Sequence, residues 1–145
     1  MDLAGLPDPA TLDQALNGTS LGPLFKDPLH GKVKEAAFSQ FAKISTFDVD
    51  PKFTRNMTNI MGYSVRVSEW RYTAWFEFDQ VRLVPKTEPE HILGRELYDH
   101  RGDTGMWLDY PGENLNLVQR DEHAELVKDL HQRVLGYIRL KPVTL

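Results

Sequence analysis

Cysteine is absent from the 145 residues of this chain, which excludes disulfides, thiolate metal sites and a cysteine nucleophile. Two further absences narrow the partners. There is no strongly basic block and no apolar run of membrane-spanning length, so neither nucleic acid nor a membrane is expected. The opening MDLAGLPDPATL has neither a basic leader nor a continuous apolar stretch, so no signal peptide is expected there. Ser20, Ser39, Ser45, Ser64 and Ser68 occur in no nucleophile-elbow context, which leaves a hydrolase triad unsupported. No internal repeat or low-complexity segment is evident.

What is present suits one folded core. Hydrophobic residues make up 41% of the chain and charged residues 26%, a balance that supports burial rather than disorder. The net charge of -4 adds to the case against a nucleic-acid partner.

The strongest local signal is MGYSVRVSEWRYTAWFEF, Met61 to Phe78. Met61, Tyr63, Val65 and Val67 alternate with Gly62, Ser64 and Arg66, the period of a strand packed on one side. After the polar break at Ser68 and Glu69, Tyr72, Ala74, Phe76 and Phe78 repeat the alternation against Arg71, Thr73, Trp75 and Glu77. The stretch therefore predicts a β-hairpin. A shorter strand is expected within Lys34–Lys43, where a helix also fits, and another over Glu96–Asp99, ending in a turn of Arg101, Gly102 and Asp103.

From Asp121 to Arg139, Ala124, Val127, Leu130, Val134 and Ile138 form one apolar stripe at three- and four-residue steps, and Pro142 stops the run. That pattern predicts an amphipathic helix. Asp8 to Pro28 reads as a turn-rich connection with Leu12, Leu16, Leu21, Leu24 and Phe25 as apolar anchors, following what looks like the last helical turn at Leu3–Leu6. Phe47–Asn59 reads as a loop, and the stretch after Phe78 through Pro85 and Pro89 as a polar connection. The expected fold class is α+β, an antiparallel sheet of about four strands with the C-terminal helix packed on it.

Chemistry-bearing clusters are few. Asp99, His100 and Asp103 are the densest titratable group; metal binding or acid–base work competes there with a solvated turn in which Asp99 bonds nearby amides. The Arg101-Gly102-Asp103 tripeptide, an adhesion-type sequence, is too short to carry a function alone. His123 and His131 lie two helical turns apart and cannot share an ion; one is expected to face solvent and the other to flank the core. His30 and His91 fall in loops. Arg66 and Arg71, bracketing the hairpin turn, are candidates for gripping an anion, in competition with ion pairs to Glu69 or Glu96. Trp70, Trp75 and Trp107 offer rings for stacking on sugar, in competition with a place in the core. Asn17 and Asn56 head glycosylation sequons that matter only on a secretory route.

The order of short motifs carries a resemblance. AFSQF (37–41), MGYSVR (61–66), WRYTAW (70–75), ELYDHRGD (96–103) and GENLNL (112–117), then a terminal helix, resemble the C-terminal subdomain of sulfatases, in particular the iduronate-2-sulfatase-like members. DLAGLPDPATLDQALNGTSLGPLF is similar to the segment that closes the large N-terminal domain of that family. The resemblance implies that residues 1–30 are the tail end of the catalytic domain and 31–145 the C-terminal subdomain of an alkaline-phosphatase-like α/β sulfatase fold. It implies hydrolysis of sulfate esters on heparan or dermatan sulfate, a formylglycine nucleophile, bound calcium in the full-length enzyme, and a lysosomal or secreted location.

No Cys/Ser-x-Pro-x-Arg motif occurs in the sequence. No catalytic residue and no metal ligand of the family therefore transfers, and the chain alone is expected to be inactive. Its implied partners are a sulfatase catalytic domain, upstream or in trans, and sulfated glycosaminoglycan. TGMWLDYPGENLNL departs from the family by being longer than the compact turn many sulfatases have there. Leu3, Leu6, Leu21, Leu24 and Phe25 are expected to be exposed without the catalytic domain. The alternative is a non-catalytic module that binds sulfated glycan through Arg66, Arg71 or Arg101 with a tryptophan platform, or a subunit that complements a separate catalytic half.

Overall fold

The structure is a computed structural model that describes residues 19–43, 59–104 and 110–140. The chain divides after Glu35 into two compact units. Leu3–Leu6, Leu12, Leu16, both sequon asparagines, Trp107, Pro142 and nearly all of the Phe47–Asn59 loop lie outside the described residues.

In the first unit, the stretch expected to be only turns contains one short helix, α1, Gly22–Lys26. Pro23 lies in its first turn, where its fixed φ favours the helix and its missing N–H costs nothing. Asp27 follows, its Oδ1 accepting the backbone N–H of His30 at 3.0 Å. Leu21 and Phe25 are exposed, as expected, and so is Leu29.

The second unit is built on the hairpin. Strand β2, Ile60–Arg66, and strand β3, Trp70–Asp79, run antiparallel with Met61 opposite Phe76 and Arg66 opposite Arg71. The Val67 N–H donates to the Trp70 carbonyl at 2.9 Å and closes the turn over Ser68 and Glu69. The ambiguous segment before it is a strand, β1, Ala37–Lys43, antiparallel to β2 in unbroken register. Helix is excluded there because β2 offers a ladder for its backbone.

Two strands differ from the sequence reading. A two-residue strand, β4, Val84–Pro85, pairs with the end of β3 inside the expected polar connection. The chain reaches it by a turn in which Asp79 Oδ1 accepts the Val81 and Arg82 N–H groups, each at 2.9 Å. The last strand, β5, spans Ile92–Asp99 rather than beginning at Glu96. Gly94 lies opposite Trp75 but Ile92 opposite Phe76, so Leu93 is an extra, bulged residue that breaks the alternation. The main sheet thus runs β1-β2-β3-β5, with β4 attached at one end of β3.

The C-terminal helix, α2, covers Ala124–Arg139 after a 3-10 turn over Asp121–His123. Its Val127, Leu130 and Val134 are buried against one face of the sheet, where Tyr63 and Val65 of β2, Tyr72 and Phe76 of β3 and Leu97 of β5 meet them. Each such burial contributes about 1.5–3 kcal/mol. The stripe from Val127 to Ile138 is therefore the helix's docking face, while Ala124 at its start is exposed, and the fold is α+β with the helix on one side of the sheet. No described helix is long and apolar enough to cross a membrane.

Candidate functional site

The three arginines singled out from the sequence lie at the hairpin-turn end of the sheet. Arg66 and Arg71 are cross-strand partners, and two like charges placed directly opposite repel unless each is matched. Each is matched. Arg66 Nη2 lies 3.8 Å from Asp103 Oδ2, and Arg71 Nη1 lies 3.1 Å from Glu113 Oε1. Arg66 also donates to the carbonyls of Val67 and Ser68, tying it to the turn.

His100 joins the two pairs. Its backbone N–H donates to the Glu69 carbonyl at 2.7 Å, which docks the end of β5 on the hairpin turn. Its ring is buried, 6% exposed. Nδ1 lies 2.9 Å from Asp103 Oδ2 and Nε2 lies 3.0 Å from Glu113 Oε1. The second contact has ion-pair distance but poor alignment, so Nε2 is a buried polar atom without a proper hydrogen bond, as is Arg71 Nε. Burying such groups is costly unless neighbouring charges compensate. Tyr110 stacks on the imidazole with ring centroids 5.4 Å apart.

Two glycines make this packing possible. Gly102 turns the chain after β5 with a φ of 86°, the left-handed region that side chains disfavour. At Gly112 a Cβ would stand 2.3 Å from the Asp99 carbonyl oxygen and 2.4 Å from the Tyr110 ring. The 110–114 segment can therefore approach β5 closely enough to deliver Glu113 to Arg71.

Arg101 serves the same corner from outside. Its guanidinium grips Asp99, Nη2 to Oδ2 at 2.6 Å, and lies over the Trp70 ring 5.1 Å from the centroid. Asp99 also accepts the Arg101 backbone N–H at 2.8 Å, the turn bond anticipated from the sequence. The Arg101 hydrogen bonds hold the Asp99 carboxyl below its ordinary range. Arg66, Arg71 and Arg101 thus face Asp103, Glu113 and Asp99 one for one.

Several expectations are corrected here. The partners of Arg66 and Arg71 are Asp103 and Glu113, not Glu69 or Glu96. Glu96 instead accepts the Trp75 indole N–H at 2.9 Å. The Asp99–Asp103 turn is not simply solvated, because Tyr110 and Glu113 bury His100. His123 is not a solvent-facing residue; its side chain is 17% exposed and packs on Trp70, with ring centroids 5.0 Å apart. Of the two uses open to Trp70, the place against the core is the one taken, between His123 and Arg101, as the sequence reading favoured. Trp75 has Phe41 at its edge and the Lys43 ammonium 5.5 Å from its ring centre. Sequence reasoning gave no role to Tyr110, Glu113 or Asn116; their only signal was their place in or beside GENLNL.

The histidine on α2 belongs to the core face. His131 Nδ1 lies 2.9 Å from the Tyr72 hydroxyl, and its ring packs on Phe76. Burial pushes the Tyr72 hydroxyl up to about 12, against the opposing effect of Arg95. Burial, then the Arg95 charge, lowers His131 and favours its neutral ring. At the other end of the sheet, Glu77 is held below its ordinary range chiefly by Lys86, with His91 also 3.0 Å away.

The arrangement positions a turn and a loop; it presents no activated nucleophile with an adjacent base. Among the described residues no group of three or more histidines, aspartates or glutamates is placed to hold a metal ion.

No protein-family model and no curated protein matches the chain. Among solved structures it is similar to the crystal structure of a candidate sulfatase from Bacteroides thetaiotaomicron VPI-5482, with a TM-score of 0.59 and 22% identity. The match covers 95% of this chain but only 22% of that one. At this identity the likeness is one of fold: the α+β sheet and helix have a counterpart within a much longer sulfatase-type structure.

Proposed function

We propose that this chain is the C-terminal part of an iduronate-2-sulfatase-like sulfuric ester hydrolase, and that it contributes structure rather than catalytic groups. The carrying observation is the fold likeness over 95% of the chain to 22% of a candidate sulfatase. The ordered motifs from AFSQF to GENLNL support the same reading, and they map onto β1, β2, β3, β5 and the Glu113–Asn116 segment. The substrate of the whole protein is then a sulfate ester on heparan or dermatan sulfate, met in a lysosomal or secreted setting.

The catalytic domain is the proposed partner and supplies the formylglycine nucleophile. Calcium is not assigned to this chain's described residues. The carboxylates nearest to forming a ligand set, Asp99, Asp103 and Glu113, are committed to arginines.

A second reading makes the chain a sulfated-glycan-binding module through Arg66, Arg71 and Arg101. Sulfate would have to displace a carboxylate from each. Arg101, with its side chain 59% exposed, is the most accessible of the three.

The test is turnover of an aryl sulfate and of a 2-O-sulfated iduronate disaccharide by the purified chain with added calcium. No turnover is expected from the chain alone, and turnover is expected when it is co-expressed with a catalytic domain bearing Cys-x-Pro-x-Arg from the same genome. Turnover by the chain alone that survives repurification, or a genome without such a domain, overturns the proposal. Retention on heparin that Arg101→Ala abolishes would favour the second reading.

A further inference from the structure

The free backbone of β1 can be assigned from the register. Val67 and Trp70 form a hydrogen-bonded pair at the hairpin turn, and such pairs alternate with non-bonded ones along antiparallel strands. Met61, Tyr63 and Val65 therefore bond to β3, while Ile60, Gly62, Ser64 and Arg66 turn their N–H and C=O groups toward β1. Their partners there are Lys43, Phe41, Ser39 and Ala37. The backbone groups of Phe38, Gln40 and Ala42 consequently point away from the sheet. None of the described residues bonds to them, and apart from half-buried Phe38 the strand is exposed.

Natural edge strands are blunted by proline, bulges, inward-pointing charge or a covering segment. β1 has no proline and no register shift, and its single charge, Lys43, stands at its end.

The strand is also complementary to itself. Laid antiparallel on a second copy about a two-fold axis at Gln40, it places Phe38 opposite the partner's Ala42 and Phe41 opposite the partner's Ser39. Ala37 meets the partner's Lys43. Apart from Gln40, which meets its own copy, every large side chain meets a small one, and no like charges meet. Phe41, 67% exposed in the single chain, gains a neighbour. In this register Phe38, Gln40 and Ala42, the residues with free backbone groups, pair with Ala42, Gln40 and Phe38 of the partner. A two-fold centred on Ser39 or on Phe41 would also pair outward backbone groups, but it would set Phe38 against Gln40 or Phe41 against Phe41 and lose the match of large to small.

We propose that β1 is a homodimerisation strand, pairing antiparallel with β1 of a second copy about Gln40 and joining the two sheets edge to edge. The inference rests on the sheet geometry and not on the sulfatase reading.

Sedimentation equilibrium of the 145-residue chain tests it, with dimer mass expected as concentration rises. Gln40→Pro removes an outward N–H at the centre of the pairing without touching the β1–β2 ladder; the dimer is expected to be lost while the thermal midpoint measured in dilute solution is kept. Gln40→Cys gives a register test that does not depend on the proline variant folding. Residue 40 alone meets itself, at the ~5.5 Å Cα separation of a bonded pair, which a disulfide can span. Oxidation should link Gln40→Cys chains and leave Ser39→Cys chains unlinked. A monomer at all concentrations, a dimer indifferent to Gln40→Pro, or preferential linking through position 39 would each overturn the proposal.

Discussion

β5 and β1 are the two edges of one sheet, packed under the same helix, and they are finished in opposite ways. Along β5 both outward groups of Leu97 and the outward carbonyl of Arg95 are engaged by the segment that follows Glu113. Asn116 Oδ1 accepts the Leu97 N–H at 3.0 Å, Asn116 Nδ2 donates to the Arg95 carbonyl at 3.1 Å, and the Leu117 N–H donates to the Leu97 carbonyl at 2.8 Å. One asparagine amide imitates a neighbouring strand, and Asn116 Oδ1 also takes the Val118 N–H, which fixes its own orientation. Along β1 the equivalent groups of Phe38, Gln40 and Ala42 meet no described residue. The same short stretch that seals β5 also carries Glu113 to Arg71 and Tyr110 to His100. Closing that edge and matching Arg71 are thus one structural act, and it leaves Arg71 held by a carboxylate.

The largest loss is expected at the floor that both edges share. Leu130, 1% exposed, is wedged between helix and sheet; Leu130→Ala should cost about 2–5 kcal/mol in urea unfolding, and a cost below ~1 kcal/mol would mean that the helix does not hold the sheet. A cut at the closed edge alone is milder. Asn116→Ala leaves the Leu97 N–H unpaired beside a fully buried side chain, for an expected loss of about 1–3 kcal/mol. At the open edge, Gln40→Pro removes no internal bond, and an unfolding midpoint indistinguishable from the parent in dilute solution is expected. Equal losses at the two edges would erase the distinction.

Titration sharpens the same picture from the helix face. His131 is lowered in the folded chain, so the unfolded chain binds its proton first as pH falls. Stability should therefore drop as pH falls below about 6.5, and His131→Gln should flatten that limb. Tyr72 behaves oppositely: with its hydroxyl pushed up to about 12, stability should fall as pH rises above about 10, where the unfolded chain begins to ionise. A profile flat from neutrality to pH 5 in the parent would remove His131 from the account.

Much of the fold was legible because each long element carried one unbroken period. The hairpin alternated on both sides of Ser68 and Glu69, and α2 kept its stripe from Ala124 to Ile138. Elements failed to show where the period broke or had no length to appear. β4 has two residues, one of them proline, and the Leu93 bulge hid the first half of β5. The corner holding the arginines was half legible. Arg66 and Arg71 were placed together by the hairpin itself, but their acids arrive from turns whose approach depends on Gly102 and Gly112. His100 sits among polar neighbours in sequence and is buried only by Tyr110 and Glu113, a tertiary fact that local pattern does not carry.

The central contrast, one edge sealed from within and the other open, is tested most directly by amide hydrogen exchange resolved at Leu97, Leu117, Phe38, Gln40 and Ala42. In dilute solution Leu97 and Leu117 should be strongly protected, and the three β1 amides should exchange near the rate of an unstructured chain. Protection at Phe38, Gln40 and Ala42 should then grow with concentration while Leu97 stays unchanged. Equal protection of Leu97 and Gln40 in dilute solution would contradict the account.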